Sequence, residues 1–184
     1  MKTILLTLCA VALPAFSQTG GSTAPVKTLK DTIIQHWKST AQLTIAVANA
    51  MPADSYNFRP NPEEMSFGEV MAHIGAANAG ACAVASGQPR MQLPEKLAAW
   101  SKDPQKIDVD RETAVKYLTD TFDFCQKAIA SIAPDHYDVV VGPPQRNMTA
   151  FEWLWSYFTH TAHHRGQAEV YLRVKGITPP TYTF

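Results

Sequence analysis

Two short stretches constrain this chain more than any others. Ser66-Phe-Gly-Glu69 and Thr149-Ala-Phe-Glu152 each place a hydroxyl three residues before a carboxylate. At that spacing the hydroxyl accepts from the backbone amide of the carboxylate residue, and the carboxylate reaches back to the amide of the hydroxyl residue, so each stretch opens a helix. Behind Ser66 a helical pattern runs from Phe67 to about Ser86, with Gly87 as its stop. Behind Thr149 a pattern runs to about Lys175 and stops at Gly176. Two more segments repeat apolar residues at three and four positions. One spans about Val26 to Ala50 through Leu29, Ile33, Trp37, Thr44 and Val47, and Pro52 ends it. The other follows Asp110, from Arg111 to about Ala133, with Ala114, Tyr117, Leu118, Phe122, Cys125, Ile129 and Ile132 as its stripe. Val139 to Val141 is too short to make a sheet. The expectation is an all-α four-helix bundle in one domain over 27–184. A long connection, Gln88 to Val109, joins the second and third long helices. It holds Pro89, Pro94 and Pro104, has room for a short helix from Pro94 to Trp100, and permits the helices it joins to run parallel.

Composition narrows the function classes. Sixteen basic residues balance sixteen acidic ones with no long basic run, which argues against nucleic acid as a partner. Residues 1–17 read as an export signal: Lys2, an apolar run from Ile4 to Leu13, then Ala15-Phe16-Ser17 as a small-x-small cleavage site. The run falls short of the ~20 residues a membrane span needs, so no membrane partner is expected once it is removed. Residues 18–26 read as a flexible linker, and the protein as exported, periplasmic or secreted. Cys9 sits inside the apolar run, which disfavours its lipidation. The mature chain would keep Cys82 and Cys125. An oxidising compartment permits a disulfide between them, but two buried thiols are the preferred reading.

The chemistry centres on His160-Thr-Ala-His-His164-Arg-Gly-Gln167. At roughly 100° per residue, His164 lies about 40° from His160, and Trp153, Tyr157, Gln167 and Tyr171 fall within roughly 60° of the same direction. Two imidazoles a turn apart can grip one divalent ion. His163 lies about 80° off that face and is set aside. Phe151, Leu154, Trp155 and Phe158 fill most of the other side, which places this helix at the centre of the bundle. Of the remaining histidines, His136 sits in a loop, and His36 has no partner at helical spacing. His73 lies inside the second helix amid Gly75, Ala76, Ala77, Ala79 and Gly80, where small neighbours allow close approach. It is the best third ligand by residue type, with an ordinary buried core histidine as the equal alternative. The His face of the fourth helix carries no carboxylate, since Glu152 and Glu169 point elsewhere.

Three matches in order resemble the DinB/YfiT-like family of small four-helix metalloproteins. They are Tyr56-Asn-Phe-Arg-Pro60 with Ser66-Phe-Gly-Glu-Val-Met-Ala-His73-Ile74, then His160-x3-His164-Arg-Gly-Gln167, then Tyr171-Leu-Arg173 with Gly176 and Pro179-Pro180. The resemblance implies a metal site of His73, His160 and His164 with an open position. It also implies an up-down-down-up bundle and a homodimer. Gln167, one turn after His164, would then steady that ligand. Three imidazoles suit Zn or Ni, and also Fe or Mn. Characterised members act on small molecules, as transferases and isomerases that use small thiols. Three functions remain in view: a metal-dependent transferase or hydrolase, an exported non-catalytic metal-binding protein, and a small-ligand binder.

Overall fold

The computed structural model describes residues 27–102 and 108–182. The expected signal peptide 1–17, the linker 18–26, Pro104 and Phe184 lie outside the described residues. Among the described residues there are five α-helices: α1 Leu29–Ala50, α2 Phe67–Ser86, α3 Glu95–Trp100, α4 Arg111–Ser131 and α5 Ala150–Val174. Both expected capping boxes form, at Ser66 with Glu69 and at Thr149 with Glu152. A third, unexpected, opens α1, where Thr28 pairs with Asp31. An Asp at the third position does the work of the usual Glu there. Asp110 caps α4 by accepting from the Thr113 amide. Gly87 ends α2 at φ +69°, a left-handed turn that a side chain would strain.

Strand is minimal but present, which corrects the strand-free expectation. Val140–Val141 (β1) pairs antiparallel with Met148–Thr149 (β2). Two residues on each side carry no periodic signal, so only closure of the loop between them brings the ladder together.

α2 is the central element and packs on both α4 and α5, while α1 covers the other faces of those two. Gly75 lets the Tyr117 ring approach so closely that a Cβ there would lie 2.9 Å from it. Further along, Cys82 and Cys125 form a disulfide, in place of the two buried thiols preferred from sequence. Both residues are fully buried, and their positions in register on α2 and α4 are a tertiary fact that spacing does not reveal. On α4 the expected stripe is buried from Ala114 to Ile132. α1 turns Trp37, Leu43, Val47 and Ala48 inward, and Trp37 meets Phe122 edge to face with centroids 6.2 Å apart. Leu29, expected in that stripe, is 51% exposed because it stands in the first turn, beyond the cover of the other helices.

The N-terminus of α2 is held by charge. Glu69 is buried, yet it accepts from the Ser66 amide, from Arg59 Nη1 at 2.6 Å and from Trp100 Nε1 at 3.3 Å. Beside it, a Cβ on Gly68 would lie 2.0 Å from the Val109 carbonyl oxygen, so the chain entering α4 can cross α2 only over a glycine.

Glu69→Ala removes a cap and a buried charge-assisted network. It should lower unfolding free energy by about 2–4 kcal/mol in urea titration. Reducing the Cys82–Cys125 bond, which closes a separation of 43 residues, should cost about 2–4 kcal/mol. Alkylation of unreduced, unfolded protein should leave both cysteines unmodified in a peptide mass map.

Candidate metal centre

The site is assembled where α2 crosses α5. Asn78 donates its side-chain amide to the Thr161 hydroxyl at 3.0 Å, and both residues are fully buried. The Thr161 hydroxyl in turn reaches the Tyr157 carbonyl at 2.9 Å. That polar bridge sets the register of the two helices one turn from the imidazoles. It brings His73 of α2 against His160 and His164 of α5, with one ligand atom from each lying within 4.8 Å of the others. His73 Nε2 and His160 Nε2 are 3.1 Å apart. Ring centroids lie 4.9, 4.6 and 4.4 Å apart for the pairs 73–160, 73–164 and 160–164.

The donor chemistry fits a metal. His164 Nδ1 meets Gln167 Oε1 at 2.7 Å; a carbonyl accepts, so the ring proton sits on Nδ1 and Nε2 is left with a lone pair. His160 Nδ1 is buried without a hydrogen-bond partner, while its Nε2 turns into the cluster. With the ring proton on that unpaired Nδ1, Nε2 keeps a lone pair turned toward the other two imidazoles. Nitrogens bound at about 2.0–2.1 Å to one tetrahedral ion stand about 3.3 Å apart, close to the observed His73–His160 spacing.

Electrostatics keeps these rings neutral, as ligands must be. Burial, followed by the neighbouring His164, His73 and His163, pushes His160 down to about 4. Burial and His164 lower His73. Burial lowers His164 too, with the Gln167 hydrogen bond working against it. His163 is exposed; its ring lies 4.9 Å from that of His164, but it stands outside the cluster.

The other sequence candidates divide. Gln167 touches His164. Tyr157 lies beside His160 with centroids 5.6 Å apart, and Trp153 stacks beneath Tyr157. Tyr171 is drawn away: its hydroxyl donates to the Met65 carbonyl, and its ring packs on Phe58 and Phe67. His36 lies edge-on to Phe158, and His136 sits in the Pro134–His136 turn. Glu169 faces Arg165 and Arg173, and Glu152 serves its cap, so neither reaches the imidazoles. Arg165 is buried, reaches toward Thr44 of α1, and lies 5.5 Å from the Tyr182 ring. Its place in the motif is thus explained by helix packing rather than by the metal.

Sequence reasoning missed Arg90 and Arg146, which line a cavity of about 620 Å³ together with Tyr157, the neighbour of His160. Each sits in an irregular segment, so helical periodicity carried no signal for either. It also misplaced one aromatic face of α5. Leu154 is buried, but Phe151 and Phe158 are half-buried and Trp155 is 56% exposed in a surface stack. Apolar periodicity does not distinguish a core stripe from an exposed one that α1 covers only in part.

A sequence profile described as the DinB superfamily matches residues 36–168. No curated protein matches the chain. Among solved structures, a DinB-like protein of Bacillus cereus ATCC 10987 is similar at a TM-score of 0.65 and 18% identity, covering 82% of this chain and 95% of that one. A DinB-like protein of Bacillus subtilis is similar at 0.64 and 21% identity, with 83% and 97% covered. A conserved protein of Enterococcus faecalis follows at 0.63 and 14%, with 80% and 96% covered. At these identities the likeness is one of fold.

In the metal-free protein the lowered imidazole pKa values tie stability to pH. Unfolded histidines take up protons near 6.5, while the folded rings resist until lower pH. Stability is therefore full above about 6.5 and falls as pH drops towards 4. Thermal melts of chelator-treated protein should show that decline, and His160→Gln should flatten it.

Proposed function

This chain belongs to the DinB superfamily, and from that membership and its three clustered imidazoles we propose that it binds a divalent metal and acts as a metal-dependent enzyme on a small molecule. The observation that carries the reading is the convergence of His73, His160 and His164 with at least two Nε2 atoms facing one another. Zn or Ni suits this donor set, with Fe or Mn as alternatives. Three protein ligands leave a position open, and the chemistry such a centre supplies is Lewis-acid activation of a water or a thiol. Gln167 holds His164 in its tautomer, Tyr157 walls one side, and the buried Asn78–Thr161 bridge fixes the distance between the helices. Transfer to a thiol and hydrolysis are the two reaction classes that fit.

The paired contacts support an up-down-down-up order. Residues 75 and 82 of α2 meet 117 and 125 of α4 in rising order, whereas Lys30 near the start of α1 donates to Ile132 at the end of α4. Export is supported by the pattern of residues 1–17. A homodimer is supported by the exposed aromatic surface around Trp155 and Tyr182. A non-catalytic metal-binding or ligand-binding role is the second reading, favoured by the engagement of Glu152 and Glu169 elsewhere and by a cluster that, among the described residues, contains imidazoles and no carboxylate.

Elemental analysis of purified protein should find about one divalent ion per chain. His160→Ala and His164→Ala should lose it, and Gln167→Ala should weaken affinity about 10-fold. Stoichiometric metal in both histidine variants would sink the assignment. If the loaded protein catalyses neither thiol transfer nor hydrolysis across a broad panel, the second reading replaces the first.

A further inference from the structure

The cavity beside the imidazoles has its own chemistry. Ala76 and Ala77 line it one turn beyond His73, and Tyr157 lines it one turn before His160, so one end of the cavity lies a helical turn from the imidazoles, which do not themselves line it. Among the described residues its charged lining residues are Arg90 and Arg146. Among the described residues neither forms an ion pair, unlike Arg59, Arg165 and Arg173.

Among the described residues Arg146 is held by aromatic groups rather than by a carboxylate. Its Nη1 donates to the Tyr157 hydroxyl at 2.9 Å, and its guanidinium carbon lies 5.2 Å from the centre of the Trp153 ring. Trp153 and Tyr157 stack at 5.8 Å and 13°, and Trp153 is pinned by donation from Nε1 to the Val141 carbonyl. The segment bearing Arg146 is closed by its own amide donating to Pro143 and by the β1–β2 ladder. From the other side Arg90 lies over the small-residue face of α2, its Nη2 3.5 Å from where a Cβ on Gly80 would stand. Among the described residues two cations therefore border the cavity with no acidic side chain lining it, and Tyr157, backed by the buried Trp153, supplies an aromatic surface. A guanidinium fork matches a carboxylate, and an aromatic shelf takes a flat apolar body.

We infer that this cavity is the substrate subsite for a small carboxylate with a flat apolar body, its anion held by Arg90 and Arg146, its body against Tyr157, which the buried Trp153 backs, and its far end directed to the imidazoles. The inference rests on the proposed metal centre only for the direction of that far end.

The test uses benzoate as probe, with benzamide as its uncharged counterpart, in an NMR titration of the full chain that follows the Trp153 indole N–H. Benzoate should saturate the site and weaken with added salt. Benzamide should bind at least about tenfold more weakly, and Arg90→Gln and Arg146→Gln should each cost about tenfold or more while retaining wild-type metal content. No binding of benzoate, equal binding of benzamide, or unchanged affinity in both arginine variants overturns the subsite. His160→Ala separates the two ideas: it should lose metal and still bind benzoate. A wild-type protein that carries no metal but binds benzoate through both arginines would refute the metal reading and support the anion subsite.

Discussion

The buried carboxylate of Glu69 is the contact on which the rest of the structure depends. A charge out of water is tolerated only when it is paired and hydrogen-bonded, and Glu69 meets this by drawing in three separate pieces of chain. Arg59 comes from the loop after α1, Ser66 from the helix start and Trp100 from α3. One side chain thus caps α2, fixes the loop before it and anchors the short helix inside the long connection. The carboxyl itself is held below its usual range: burial raises it, but the hydrogen bonds from Arg59, Ser66 and Trp100 outweigh burial. With α2 anchored, His73 stands at a fixed height above that anchor.

Small residues and polar bridges carry that position through to the site. Gly75 admits Tyr117, and the Cys82–Cys125 bond ties α2 to α4, so one face of α2 is spoken for. Asn78 then locks the adjacent face to Thr161 of α5. The three imidazoles meet between these constraints, part-buried, neutral and short of hydrogen-bond partners at His160 Nδ1. Their nitrogens lie close enough together to hold one divalent ion. The same close packing leaves Ala76, Ala77 and Gly80 lining the arginine-flanked cavity, with the Arg90 guanidinium over Gly80.

How much was legible depended on the range of the interaction. Capping boxes at Ser66 and Thr149, the turn at Gly87 and the buried stripe from Ala114 to Ile132 are local patterns, read within a turn or two. Gln167 beside His164 is local as well. Tyr171, on the same helical face, is diverted by the Met65 carbonyl, which belongs to a distant loop. Trp155 and Leu154 are neighbours of similar hydropathy, yet one is exposed and the other buried, because what covers a residue is set by another helix. Arg59 and Arg165 sit in recognisable motifs, but their partners, Glu69 and Thr44, become visible only in three dimensions.

The amino-acid sequence by itself determined where the helices start and stop, which stripes are apolar, and that two imidazoles share one face a turn apart. Those follow from backbone hydrogen bonding and the period of the helix, both short-range. Only the tertiary structure decided that His73 joins them, that Cys82 reaches Cys125, that two valines find a strand partner, and that Arg90 and Arg146 border one cavity. Each depends on how one helix is rotated and shifted against another. Close packing and a few buried polar contacts set that register, and no local pattern encodes it.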